Sequence, residues 1–288
     1  MWRPYLLLLY VYLESMRTPV LLLLLITSIS ESGSFPPVRH FANIVIIDTL
    51  IEVGHNQKLH FRISRGGEPT VLLESGGGAD ASQWNSIHQR LEAETNATII
   101  SYDRAGFGLS DLPDSQYDIL DEVQNLHKAL EMLRTKNLVV VSHSYGAFLS
   151  QAYQHLYPNT IRSIILLDPN TVEFVDSVGV QNFSNFSFDT TGILTKKQKA
   201  DIRQTRAFKN TLDQVRNMPY SKNLQLIVIA AGMDWWPYPQ VNVWWRQGQK
   251  NLARSVHDAT LITAEGSTHN IPQLKPDLVV QLIKKQLN

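Results

Sequence analysis

The chain has 288 residues, of which 43% are hydrophobic and 18% are charged, a balance typical of a globular protein with a sizeable core. Its 26 basic and 26 acidic residues give a formal net charge of zero, so composition gives no sign of a nucleic-acid partner. The chain contains no cysteine, which excludes disulfide bonds, thiolate nucleophiles and cysteine-ligated metals.

Two apolar runs lie near the N-terminus, at residues 5–13 and 20–26. Neither run reaches the roughly 20 residues that a membrane-spanning helix needs. A start at Met16 would place a short basic segment before an apolar run and a small-residue cleavage segment, the order of a secretory signal peptide. We therefore predict that residues 1–37 comprise a signal peptide, at about 16–30, and a linker, and that the protein is secreted. An uncleaved anchor that associates with the membrane is the alternative.

From residue 38 onward, apolar runs typical of buried strands alternate with segments of helical periodicity. The predicted strands are residues 43–53, 58–64, 70–73, 97–102, 138–141, 161–167, 224–230 and 259–263. The predicted helices are residues 82–94, 118–134, the segment that follows residue 144, 241–253 and 276–286. A hairpin signal joins the first two strands, and the alternation indicates an α/β domain. We expect a mostly parallel eight-stranded sheet with helices on both faces.

A long insertion, at about residues 170–223, separates two of the predicted strands. Its first half is polar and aromatic, whereas residues 195–217 have a helical and basic pattern. The insertion is too long for a simple crossover, so we predict a lid or cap over the carboxyl edge of the sheet. A longer crossover helix with a loop is the alternative.

Residues 138–149 contain the pattern that organises the chain: an apolar strand, a tight His-Ser-Tyr-Gly turn and an apolar-periodic helix. This order is typical of a nucleophile elbow, which exposes a serine hydroxyl at the end of a sheet. Ser144 is the candidate nucleophile, and Ser142 replaces the first glycine of the usual G-x-S-x-G pattern. The alternative is an ordinary strand-to-helix turn in which the serine caps the helix.

A serine nucleophile needs a histidine to accept its proton and an acid to orient that histidine. His269 follows the last predicted strand in a Gly/Ser loop, at the carboxyl edge of the sheet, and is the predicted base. Asp234 lies just beyond strand 224–230 and is the predicted acid. Asp168, at the end of strand 161–167, is the rival for that role.

The reaction also needs two N–H donors that stabilise the developing oxyanion. One should be the Tyr145 amide at the start of the helix, whose N-terminal N–H groups are free. The other should come from the glycine loop at residues 74–78, where backbone can approach a ligand without obstruction by a Cβ atom.

The chain from about residue 43 resembles the α/β-hydrolase superfamily. Besides the elbow, residues 103–111 (DRAGFGLSD) are similar to the D-R-x-G-x-G-x-S segment of that family. The resemblance implies the α/β-hydrolase fold and gives the second oxyanion donor to Gly77, with Gly78 as the near alternative. It also implies that Asp103 and Arg104 are structural rather than catalytic.

Trp235 and Trp236 follow the predicted acid directly. They either pack the next helix onto the sheet or form the wall of a pocket for an apolar acyl or alcohol group. Together these features predict a cofactor-independent serine hydrolase that cleaves a small ester, a lipid-like substrate or a related acyl bond. The alternatives are a lyase of the hydroxynitrile type and a ligand-binding protein that has retained the fold.

Overall fold

The computed structural model describes residues 45–54, 56–184, 188 and 192–288. The predicted signal peptide and linker at residues 1–37 lie outside this part of the chain, and so does the start of the first predicted strand. Within the described ranges, no helix combines the length and the apolar character that crossing a bilayer requires.

All eight predicted strands are present and form one sheet, in the order β1-β2-β4-β3-β5-β6-β7-β8. The pairs β1–β2 and β2–β4 are antiparallel, and the other five pairs are parallel, which confirms the mostly parallel sheet with a hairpin at one edge. The strands are β1 (Val45–Gly54), β2 (Gln57–Arg65), β3 (Gly67–Glu74), β4 (Ala97–Tyr102), β5 (Leu138–His143), β6 (Ile161–Leu167), β7 (Gln225–Ala231) and β8 (Thr260–Ala264).

Helices cover both faces of the sheet, as predicted. One core lies between the sheet and α2, α3 and α8, and the other lies between the sheet and α1 and α10. The helices are α1 (Asn85–Glu94), α2 (Ile119–Met132), α3 (Gly146–Leu156), α4 (Val172–Val178), α5 (Gln181–Ser184), α6 (Lys196–Arg206), α7 (Phe208–Val215), α8 (Pro239–Ser255), α9 (Ile271–Leu274) and α10 (Pro276–Gln286).

Strand β5 shows why the central strands are continuous apolar runs. Leu138 and Val140 enter the core on the α2/α3 side, whereas Val139 and Val141 enter the core on the α1/α10 side. A strand buried on both faces favours apolar side chains on both of them, and each such side chain contributes about 1.5–3 kcal/mol. This burial fixes the register of β5 and therefore the position of the elbow that follows it.

Helices α4 to α7 lie in the insertion between β6 and β7, the segment that we call the cap. Residues 195–217 are predicted as one helical segment, but they form two helices that meet at Ala207. The break brings Phe208 against Tyr145 and Phe148, so packing determines it and neither glycine nor proline marks it in the sequence. Lys196 Nζ donates to the Gly108 carbonyl over 2.7 Å and holds α6 against the rest of the α/β domain, which we call the body.

Candidate active site

Ser144 lies at the turn between β5 and α3, in the strand–turn–helix arrangement that the sequence predicts. Its φ of 52° lies in the left-handed region, a strained backbone for a serine. A Cβ atom at Gly146 would lie 2.8 Å from the Ser75 carbonyl oxygen, so this position of the elbow needs glycine. The Ser142 hydroxyl is buried and hydrogen-bonds to Ser150, which explains how a small polar residue replaces the first glycine.

Both ring nitrogens of His269 form hydrogen bonds, and these bonds link Asp168, His269 and Ser144 in a continuous chain. Its Nε2 atom lies 2.9 Å from Ser144 Oγ, and its Nδ1 atom lies 2.7 Å from Asp168 Oδ2. The loop after β8 brings this imidazole to the carboxyl edge of the sheet, where β5 and β6 also end. The three side chains have the arrangement of a Ser-His-Asp triad.

The expectation that Asp234 contacts His269 is wrong. The Asp234 carboxylate is 56% exposed and pairs with Arg246 of α8. Asp168 is fully buried, and its Oδ1 atom accepts hydrogen bonds from the Ala231 amide and from Gln249 Nε2, each over 2.9 Å. The Asp234 side chain thus lies at the surface although the sequence places it at the correct edge of the sheet.

The charge of Asp168 is maintained despite its burial. Burial raises the pKa of this carboxyl, but hydrogen bonds and the neighbouring His269 outweigh that effect, and the pKa lies below its ordinary value. The carboxylate is therefore available to fix the imidazole tautomer. Within the part of the chain that is described, no group of three or more His, Asp or Glu side chains could hold a metal ion.

Two backbone N–H groups next to Ser144 are unpartnered among the described residues: those of Tyr145 and Gly77. A Cβ atom at Gly77 would lie 3.3 Å from Tyr145 Cβ, which places this glycine beside the elbow. A Cβ atom at Gly78 would instead face the cap, 3.1 Å from Asp201 Oδ1. The geometry therefore favours Gly77 over Gly78 as the second oxyanion donor.

The buried ion pair of Arg104 and Glu74 supports the glycine loop. Arg104 donates to Glu74 Oε1 over 2.6 Å, and to the carbonyl oxygens of Ser75 and Gly76 over 2.5 Å each. Burial raises the pKa of Glu74, and the Arg104 charge opposes that rise. The family resemblance implies a structural role for Arg104, and these contacts identify the structure that it supports.

His143 links the glycine loop to the base, and sequence reasoning missed this link. Gly76 N–H donates to Gln83 Oε1 over 2.8 Å, and the Gln83 amide donates to His143 Nδ1 over 2.7 Å. His143 Nε2 lies 2.9 Å from the His269 carbonyl oxygen, which can only accept, so Nε2 carries the proton. Burial and the neighbouring His269 lower the pKa of His143 to about 3, so the bridge is neutral. No signal in the sequence pairs Gln83 with His143, which lie 60 residues apart.

The two predicted pocket tryptophans have different surroundings. The Trp235 indole stacks on the His269 ring, with the centroids 4.1 Å apart and the planes 18° from parallel. Trp236 lies 4.4 Å from Trp235 and 5.7 Å from Phe174 of the cap, between ring centroids. Trp235 therefore covers the base, and Trp236 joins it to the cap.

Comparison with known proteins identifies the family and the fold of the chain. Residues 71–282 match the model of the alpha/beta hydrolase family, so the chain belongs to this family. An uncharacterised protein of Mycobacterium tuberculosis is 28% identical over 118 residues, which cover 41% of this chain and 34% of that protein. The chain thus spans about a third of the length of the first curated relatives that it matches.

Solved structures with the same fold include two whose descriptions name an activity. An esterase from Exiguobacterium antarcticum has a TM-score of 0.62 and 14% identity, and the match covers 84% of this chain and 99% of the esterase. Est816, described as an N-acyl homoserine lactone degrading enzyme, also has a TM-score of 0.62, with 15% identity and coverages of 82% and 99%. At this level of identity, the likeness concerns the fold.

Proposed function

Because the chain belongs to the alpha/beta hydrolase family, we propose that it is a serine hydrolase that cleaves a carboxylic ester or a related acyl bond. One observation carries the proposal: the continuous hydrogen-bonded chain from Asp168 through His269 to Ser144. A serine hydroxyl becomes an effective nucleophile only beside such a base. The proposed substrates are small esters or lipid-like acyl compounds.

In the proposed reaction, Ser144 Oγ attacks the substrate carbonyl carbon while His269 Nε2 takes the hydroxyl proton. The carbonyl oxygen becomes an oxyanion that accepts hydrogen bonds from the Tyr145 and Gly77 amides, a stabilisation worth roughly 2.7–4 kcal/mol for each donor. His269 then donates the proton to the leaving alcohol, and the acyl-enzyme forms. Water attacks this intermediate, with His269 again as the base, and releases the acid and Ser144.

Asp168 stabilises the imidazolium that forms in each half of the reaction. The Trp235 ring, which lies flat on the imidazole, holds it in the orientation that keeps Nε2 on Ser144. Trp236 is proposed to line the pocket for the apolar part of the substrate, because it lies between Trp235 and the cap.

The proposal is tested by a fluorophosphonate probe together with p-nitrophenyl esters. The wild-type protein should be labelled at Ser144 and should show a burst of p-nitrophenol, whereas Ser144→Ala should lose both and fall in kcat by roughly 10⁴-fold or more. A folded wild type that is not labelled and does not turn over any ester would contradict the proposal. Cleavage of a hydroxynitrile without ester hydrolysis would identify a lyase instead.

A further inference from the structure

Gln204 lies in the cap but reaches the glycine loop of the body. It belongs to α6, and its side chain is buried, with 6% exposure of the residue. A Cβ atom at Gly77 would lie 3.7 Å from Gln204 Oε1 and 3.3 Å from Tyr145 Cβ. The carboxamide therefore borders the same small volume as the two proposed oxyanion donors.

The Gln204 carboxamide has no hydrogen-bond partner among the described residues. Its Nε2 atom is wholly buried, and no partner satisfies either that atom or Oε1. Leaving a buried amide group without a partner costs roughly 1–3 kcal/mol. Gln83, the other amide beside the loop, has partners for both of its atoms. A buried amide without a partner beside the proposed reaction centre is available to bind a polar group of the substrate.

Two ion pairs of α6 already satisfy charged side chains near Gln204. Lys197 pairs with Asp201 over 2.8 Å, and Arg203 pairs with Glu122 of α2 over 2.9 Å. These two pairs therefore offer no free charge to a charged substrate group. A carboxamide offers one donor group and one acceptor, so it matches a neutral group that offers the same pair.

Resting on the proposed function, we infer that Gln204 is a substrate-binding residue that selects esters or lactones with a neutral polar group next to the scissile carbonyl. Suitable groups are an amide or a hydroxyl on the carbon atom next to the scissile carbonyl carbon. A substrate with only a hydrocarbon chain at this position leaves the Gln204 amide unsatisfied and binds less well. The unpartnered amide and its place beside Gly77 carry this inference.

Two substrates of equal chain length test the inference: the p-nitrophenyl ester of N-acetylglycine and p-nitrophenyl pentanoate. Gln204→Leu should lower kcat/KM for the N-acetylglycine ester about 10-fold more than for the pentanoate, because it loses the bonds to the amide. Comparing each variant with the wild type on one ester cancels the difference in intrinsic reactivity. Gln247→Leu, the same change at an exposed position of α8, should leave both values unchanged.

Gln204→Glu separates hydrogen bonding from packing, because it retains the length and an acceptor but removes the donor. It should also reduce selectivity for the N-acetylglycine ester. Equal losses on both esters in a folded Gln204→Leu protein, with an unchanged Tm, would overturn the inference and leave Gln204 a packing residue. Absence of turnover and of fluorophosphonate labelling in the wild type would instead defeat the proposed function itself.

Discussion

Asp168 and Asp234 follow neighbouring strands of the same sheet, yet their surroundings are opposite. Asp168 is buried with hydrogen bonds to both oxygens, whereas Asp234 is half-exposed and pairs with a surface arginine. The ion pairs show the same contrast, since the Glu74–Arg104 pair beside the glycine loop is buried and the Asp176–Arg216 pair on the cap is exposed. Position in the sequence brings both carboxylates to the same edge of the sheet, but only the buried Asp168 contacts His269.

The largest effect should come from exchanging the two acids for amides. Asp168→Asn removes the charge that stabilises the imidazolium and should lower kcat by roughly 10⁴-fold. Asp234→Asn removes only an exposed ion pair and should leave kcat within about twofold of the wild type. Steady-state hydrolysis of a p-nitrophenyl ester measures both. A severe loss in Asp234→Asn with a mild one in Asp168→Asn would reverse the assignment.

Ion pairs allow the same comparison for stability. Glu74→Ala leaves the Arg104 charge buried without its partner and should lower the free energy of unfolding by about 3–5 kcal/mol. Asp176→Ala breaks the exposed pair with Arg216 on the cap and should cost less than about 1 kcal/mol. Urea unfolding measures both changes. Equal losses would show that burial does not distinguish the two pairs.

The bridge between the glycine loop and the base should have an intermediate effect. His143→Phe keeps a ring but removes both hydrogen bonds, so kcat should fall about 10- to 100-fold with little change in KM. His143→Gln can still donate to the His269 carbonyl oxygen and accept from Gln83, so it should retain most of the activity. Equal losses of activity in both variants would show that the hydrogen bonds that glutamine retains do not account for the role of His143.

The same histidine should also make the stability of the fold depend on pH. Because His143 has a pKa of about 3 in the folded protein and an ordinary value of about 6.5 when unfolded, only the unfolded chain binds its proton between these values. The His143 contribution to stability is therefore complete above about pH 6.5 and is lost progressively as the pH falls towards 3.

His143→Gln should remove this contribution and make the unfolding free energy depend less steeply on pH. Urea unfolding at several values between about pH 4 and pH 6 measures the slope. His257→Gln provides the control, since that imidazole is 82% exposed. A slope that is unchanged in His143→Gln would contradict the neutral, buried state of this histidine.

The sequence predicts much of this architecture because its signals are local. Apolar runs predict all eight strands, and the elbow pattern predicts the turn at Ser144. The loop after β8 predicts the position of His269. In each case, residues that are close in the chain determine the structure, and the parallel sheet then brings the strand ends to one edge.

The features that sequence analysis missed depend on contacts between distant residues. His269 contacts Asp168 and not Asp234, and the Ala231 amide and Gln249 satisfy the second oxygen of Asp168. No spacing rule in the sequence encodes those partners. The bridge through His143 likewise requires a glutamine that lies 60 residues earlier. The helix break at Ala207 follows from aromatic packing of Phe208 in the cap against Tyr145 and Phe148.

The left-handed backbone at Ser144 has an evolutionary consequence. Glycine adopts this conformation readily, whereas for serine it costs roughly 1–2 kcal/mol. Selection for stability alone would therefore favour glycine at position 144 over serine. Selection for the proposed role of the hydroxyl as a nucleophile would maintain serine here, against the conformational preference of its own backbone.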